Sequence, residues 1–276
     1  MATPAEQRTS SWRPHTARLV REAVIEPTER WLRAYVSGVP VADSRRVLMS
    51  FEPHHFADYW FPLDDVRTDL LQRAGVDTGP APSRLGRSLH PGPPLQRWTL
   101  RVGDRVVENA AWSYAEPDET HAVLRDRIAF AWKAMDAWYE EDEEVFVHPR
   151  DPYHRVDAIA SSRRVRVEVE GHVVADTTRP VLLFETGLPV RYYIPKLDVR
   201  MELLEPTDSH TRCPYKGVAS YWSLELDGRV LTDLAWSYPL PIPECPKIEN
   251  LVSFYNEKVD LLVDGELQER PKTPWS

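Results

Sequence analysis

"GHVVADTTRPVLLFE", residues 171–185, nearly restates "GVPVADSRRVLMSFE", residues 38–52. Gly38 and Gly171 stand 133 positions apart, and the same spacing carries "YWFPLDDVRTDLL" (59–71) onto "YYIPKLDVRMELL" (192–204). Pro62 then falls on Pro195, Asp65 on Asp198 and Arg67 on Arg200. Further along, the spacing drops to 124: "RVVENAAWSY" (105–114) lies on "RVLTDLAWSY" (229–238), Phe130 on Phe254 and Asp136 on Asp260. The difference is an insertion in the first copy, inside "AGVDTGPAPSRLGRSLHPGPPLQ" (74–96), whose Gly, Pro and Ser content marks a loop. Internal repetition on this scale reads as a tandem duplication. The expected organisation is an N-terminal arm (1–30), a diverged first repeat (31–147) and a second repeat (148–276) that carries the pocket. The acidic run 140–144 at the junction reads as a solvated connector, because like charges repel and prefer water.

Within each copy the apolar residues alternate over short runs. In "VRVEVEGHVVAD" (165–176), Val165, Val167 and Val169 share one face and Arg166, Glu168 and Glu170 the other, the period of a half-buried strand. Asp227-Gly228 is a strong hairpin turn. Two short helices are expected, over 65–73 and, as helix or loop, over 248–259. The fold class is therefore mainly β: short antiparallel sheets with a few short helices.

Composition excludes several function classes. A net charge of -9 with interspersed signs argues against nucleic acid, whose phosphates need a basic field. No apolar run is long enough for a membrane span, and the first twenty residues lack the apolar segment of a secretion signal, so the expected location is cytoplasmic. Two cysteines, Cys213 and Cys245, cannot make a four-cysteine zinc site and would stay reduced in the cytosol. His148 and His154 lie close in "VHPRDPYHRVD", but the prolines between them forbid a helical ligand pair, so no metal is expected.

Four stretches, "GHVVADTTRPVLLFETGLPVRYYIPKLDV" (171–199), "HTRCPYKGVASYW" (210–222), "LAWSYPLPIPEC" (234–245) and "FYNEKVDLLVDGE" (254–266), resemble the domain of unknown function 427 family, which also carries a nucleotidyltransferase-like label. The second copy matches throughout and the first looks like a diverged tandem member. The resemblance implies a β-tent-like fold, two small antiparallel sheets meeting along one edge around a pocket. Related tents are commonly pinned by a cysteine-bound zinc, and the paired CxxC motifs for it are missing here. A Gly-rich phosphate loop and paired metal-binding aspartates, which nucleotidyl transfer would need, are missing as well.

The duplication supplies its own filter, since a feature present in both copies serves the fold and one confined to a single copy is freer to function. His90 is taken as the counterpart of His210, whereas Cys213, Tyr215 and Lys216 have none. Lys216, followed by Gly217 and a strand, is placed to act as acid, base or anion anchor. Cys213 is a candidate nucleophile and Tyr215 a phenol donor. Glu185, matched by Glu52, and Arg191, matched by Asp58, flank a turn where acid–base and anchoring roles could be divided. Tyr193 matches Trp60 and reads as core, and Trp236 and Tyr238 match Trp112 and Tyr114 and read as walls that also pack. Asp198 and Arg200, repeated as Asp65 and Arg67, read as an ion pair or turn cap.

Two functions compete at this level. One is a cofactor-independent enzyme acting on a small polar or anionic molecule by acid–base chemistry, with Lys216, Tyr215, Cys213 and Glu185 catalytic and Arg191, Tyr193, His210, Trp236 and Tyr238 binding substrate. The other is a noncatalytic module or sensor that recognises a planar ligand through its aromatic pocket. The expected partner is a small molecule, with a homodimer left open.

Overall fold

The structure, a computed structural model, describes residues 24–52, 56–77, 93–273 and 275–276. These divide into two units, one ending at Asp151 and the other running from Pro152 to Ser276. The first holds β1 (Val24–Pro27), β2 (Leu32–Val36), β3 (Val39–Ser44), β4 (Leu48–Phe51), β5 (Asp58–Pro62), β6 (Leu71–Asp77), β7 (Leu95–Val102), β8 (Arg105–Tyr114), β9 (Arg127–Phe130), β10 (Ala137–Glu140) and β11 (Glu143–Glu144). The second holds β12 (Val156–Ala160), β13 (Val165–Val169), β14 (His172–Thr177), β15 (Val181–Glu185), β16 (Arg191–Tyr193), β17 (Leu204–Cys213), β18 (Gly217–Leu226), β19 (Arg229–Ser237), β20 (Ser253–Phe254), β21 (Asp260–Val263) and β22 (Glu266–Leu267). The fold is mainly β, in short antiparallel sheets that do not close into a barrel.

The duplication extends to strand order. The first unit has a seven-stranded sheet, β1-β4-β5-β9-β8-β7-β6, and a four-stranded one, β11-β10-β2-β3. The second repeats the smaller sheet as β14-β13-β21-β22, and the larger as two pieces, β12-β15-β16 and β17-β18-β19-β20. The pieces meet at one bridge, Ile194 to Val252, where the first unit pairs Phe61 with Ile128 along a longer β5–β9 ladder. Period-two alternation then gives each large sheet two working faces. On β18, Trp222 and Leu224 face the main core with Val165, Val167 and Leu261, while Ala219 and Tyr221 face a second cluster with Tyr193, Trp236, Tyr238 and Cys245. The first unit has the same pair of cores, the smaller built from Leu48, Trp60, Leu124 and Ala129.

Structural ion pairs recur as well. Arg46 bonds Asp65 through two nitrogens and Ser44 Oγ donates to Asp65, and Arg179, Thr177 and Asp198 repeat the arrangement. Asp198 thus pairs with Arg179, and Arg200 with Glu202.

Three local expectations need correction. Residues 65–73 form no continuous helix: two 3-10 turns, Leu63–Asp65 and Thr68–Leu70, flank a segment tied to β3 by Arg67 N–H donating to Val41 O at 3.0 Å, and β6 begins at Leu71. Residues 248–259, expected as helix or loop, follow the loop alternative with short strand pairings, Val252 and Phe254 partnering Ile194 and Ala235. The acidic run forms a β10–β11 hairpin rather than a connector; Glu141 to Glu144 are exposed, as a solvated run should be, but Glu140 is buried, accepting the Tyr59 hydroxyl and pairing with Arg30 at 3.0 Å. Within the segment read as an arm, residues 24–27 form β1, paired to β4. Asp227-Gly228 is a turn with both residues at positive φ, the backbone that a two-residue hairpin needs.

Candidate functional site

The stretch 210–222 is a hairpin whose arms are β17 and β18, with Cys213 opposite Gly217 and Lys216 in the turn. Gly217 has φ +106°, and a Cβ there would lie 3.1 Å from Leu240 O. Glycine therefore lets the segment 240–242 approach, and Lys216 O accepts Ile242 N–H at 3.1 Å. This clamp turns the lysine inward. Lys216 is 7% exposed, and its Nζ lies 2.5 Å from Glu185 Oε2 at the end of β15. The other oxygen, Oε1, is 3.1 Å from His154 Nε2. The imidazole is in turn stacked on Tyr215, 4.1 Å between ring centroids and 18° from parallel. One buried carboxylate is thus shared between an ammonium and an imidazole.

Charge is costly in such a place unless it is paired. Burial pushes the Glu185 carboxyl up, but Lys216 and His154 outweigh it and hold it at about 2. For Lys216 burial works downward, and its interactions with Cys213 and with the Glu185 carboxylate carry it above the usual lysine value. Burial raises the thiols of Cys213 and Cys245 and the phenols of Tyr193 and Tyr238. At neutral pH the cluster accordingly holds an ionised Glu185, a protonated Lys216 and neutral sulfur and phenol groups.

Arg191 forms a second buried pair beside the first. Its two terminal nitrogens each lie 2.7 Å from a Glu257 oxygen, with Thr273 Oγ1 donating to Glu257 at 2.6 Å. The guanidinium sits over Trp236, Tyr255 and Trp275, 5.6–5.9 Å from their ring centroids. Trp236, beneath the Arg191 guanidinium, donates its Nε1–H to Tyr193 OH at 3.2 Å.

The structure thus brings Lys216, Glu185, Cys213, Tyr215, Tyr193, Tyr238 and, next to them, Arg191 and Trp236 to one face of the second unit's large sheet. It does not bring His210 there: that side chain is exposed on β17, its Nδ1 3.3 Å from Ala219 O across the hairpin. His90 lies outside the described residues. His148 and His154 have separate partners, the former Pro149 O and the Phe56 ring. No group of three metal-ligating side chains occurs among the described residues.

Two participants escaped the sequence reading. In the sequence His154 shows only as a possible metal ligand, and its contact with Glu185 spans 31 residues. Glu257 did carry a signal: Asp58 stands where Arg191 does, and Lys133, at the 124 spacing, stands where Glu257 does, so both signs are exchanged between the copies.

The first unit keeps the glutamate but partners it differently. Tyr114 OH donates to Glu52 Oε1 at 3.2 Å, and His121, at the position of Cys245, turns its Nε2 toward Glu52 at 3.8 Å while its Nδ1 lies 2.7 Å from Asp118. This unit also holds a cavity of about 540 Å³ beside Trp112, lined by Gly75, Asp77, Arg97, Asn109 and Ala131.

The profile of the family described as a domain of unknown function (DUF427) matches residues 24–81, 94–141 and 157–265, which is most of both copies. The chain belongs to this family. No curated protein matches the chain. Both DUF427 copies therefore place a strand-end glutamate against aromatic residues, and they differ in what holds it.

Proposed function

We propose that the second unit is an acid–base enzyme that acts on a small polar or anionic molecule without a metal or organic cofactor. The observation that carries this reading is Glu185 bridging His154 and Lys216. A carboxylate bonded to one imidazole nitrogen fixes the ring's orientation and tautomer, which is how a histidine is prepared to move protons. In this reading His154 transfers the proton, Glu185 orients it, and Tyr215 holds its ring in plane. Lys216 stays protonated, so its role is to donate to an oxygen on which negative charge develops. Glu185, held ionised, is no proton donor, and Cys213, whose thiol is raised by burial, is no resting nucleophile. The reading places the chemistry in the cytosol, where both thiols stay free.

The test is turnover of metabolite mixtures followed by mass spectrometry, with His154→Gln and Glu185→Gln alongside the wild type. His154→Gln removes the proton carrier near the surface of the cluster and is expected to cut turnover by about 10²–10⁴-fold while ligand binding survives. Turnover unchanged in His154→Gln, or absent from the wild type across the mixtures, overturns the reading.

A further inference from the structure

The cavity beside Trp112 has a counterpart in the second unit that is already filled. Arg97 is cross-strand partner to Trp112 as Tyr221 is to Trp236. Ala131 N–H donates to Ala110 O at 2.8 Å, and Tyr255 N–H donates to Leu234 O at 3.2 Å, the same bond 124 residues later. Backbone geometry is thus preserved while the side chains change. In the second unit Tyr255 lays its ring against Trp236, 4.6 Å between centroids, and its phenol meets that of Tyr221. In the first, Tyr255 is replaced by Ala131 and Tyr221 by Arg97. Trp236 therefore packs on Tyr255 at a tilt of 48°, whereas Trp112, met edge-on by Trp60, lines a space of about 540 Å³ on the side where Tyr255 would lie. That volume lies within the range of small-molecule pockets.

We infer that the first unit binds a planar aromatic acid in this cavity, the ring lying on Trp112 where Tyr255 lies on Trp236, and the acidic group meeting Arg97. Tyr255 serves as the internal template of the ligand. The Arg97 side chain is 12% exposed, and Asp77 engages it through Nη2 at 3.1 Å. A guanidinium carries five N–H donors in a fork suited to a carboxylate, so one carboxylate partner leaves donors for a second. Asn109, also lining the space, adds an amide for a ring substituent. Packing of a ring on Trp112 rewards planarity, and the partly buried guanidinium selects a negative over a positive substituent. Nothing in this site depends on the acid–base cluster of the second unit.

Benzoate is the probe, with benzylamine as the cationic control, and the readout is the indole N–H resonances of the full chain in two-dimensional NMR. Benzoate is expected to shift the Trp112 signal saturably and to leave that of Trp236 in place, and benzylamine to do neither. Ala131→Tyr copies the filled arrangement of the other unit, so it is expected to fold and to weaken benzoate by at least tenfold. Arg97→Met is expected to weaken it by a similar factor while Trp112 stays in place. A Trp112 signal unmoved by millimolar benzoate in the wild type overturns the proposal. So does benzoate binding unaffected by Ala131→Tyr, or equal binding of benzylamine. Should Arg97→Met not fold, the wild-type titration and Ala131→Tyr decide.

Discussion

Glu52 and Glu185 occupy one position of a duplicated fold and live in different chemistry. Glu185 is nearly buried, with a side chain 5% exposed, and is held by Lys216 and His154. Glu52 is 26% exposed and meets Tyr114 and His121. The two histidines come from unrelated positions, His154 preceding β12 and His121 following β8. A buried carboxylate requires compensation, while one partly in water does not. The strand end fixes the glutamate's place and leaves its surroundings to the turns, which each copy has built separately. The same holds for the rings: the second unit packs Tyr255 onto its tryptophan, and in the first the described residues leave that space open.

The largest difference between the two units is expected at the exchanged charges. Arg191→Met leaves Glu257, whose side chain is fully buried, without its main partner, and should cost the second unit about 3–5 kcal/mol in urea unfolding. The matching change in the first copy, Lys133→Met at an exposed position, should stay within about 0.5 kcal/mol. Comparable losses in both would mean that the sign exchange has no energetic content.

Acid unfolding sharpens the contrast next. Glu185 is held at about 2, against an ordinary value near 4.5, so its contribution is complete above that ordinary value and is lost as pH falls toward 2. At about 1.4 kcal/mol per pH unit, the loss is on the order of 3 kcal/mol. Glu185→Gln should be less stable at neutral pH, because Lys216 is left buried and unpaired, and should lack this acid limb. A Glu185→Gln curve parallel to the wild type between pH 5 and 2 would place the acid sensitivity elsewhere.

Smaller effects follow at the ring and the surface. Tyr215→Leu removes the stack on His154 and should cost about 1 kcal/mol by thermal unfolding, the usual worth of such a pair. Arg46→Ala and Arg179→Ala, at exposed pairs shared by both units, should leave melting temperatures nearly unchanged and alike. A clear difference between these two would show that even the common scaffold has diverged.

Much of the fold was legible because duplication and alternation are one-dimensional signals. The spacings of 133 and 124 anticipate which strands correspond, down to Phe61–Ile128 and Ile194–Val252. The helix reading of 65–73 failed because apolar spacing was ambiguous there and a backbone partner decided the outcome, Val41 O accepting from Arg67 N–H. At the site, Lys216 and Glu185 could be named singly from the residues. Their pairing could not, because it depends on two hairpins meeting, and neither could the contact of His154, which a turn beyond the repeat's pattern delivers.

By itself the sequence determined a twice-used antiparallel scaffold and the residue types at its strand ends, since both follow from local periodicity and from repetition. Only the tertiary structure decided which charges neutralise one another and which tryptophan keeps an open face. Those outcomes depend on distances between segments far apart in the chain, where burial makes a partner obligatory and the replacement of one ring by a methyl group leaves a space.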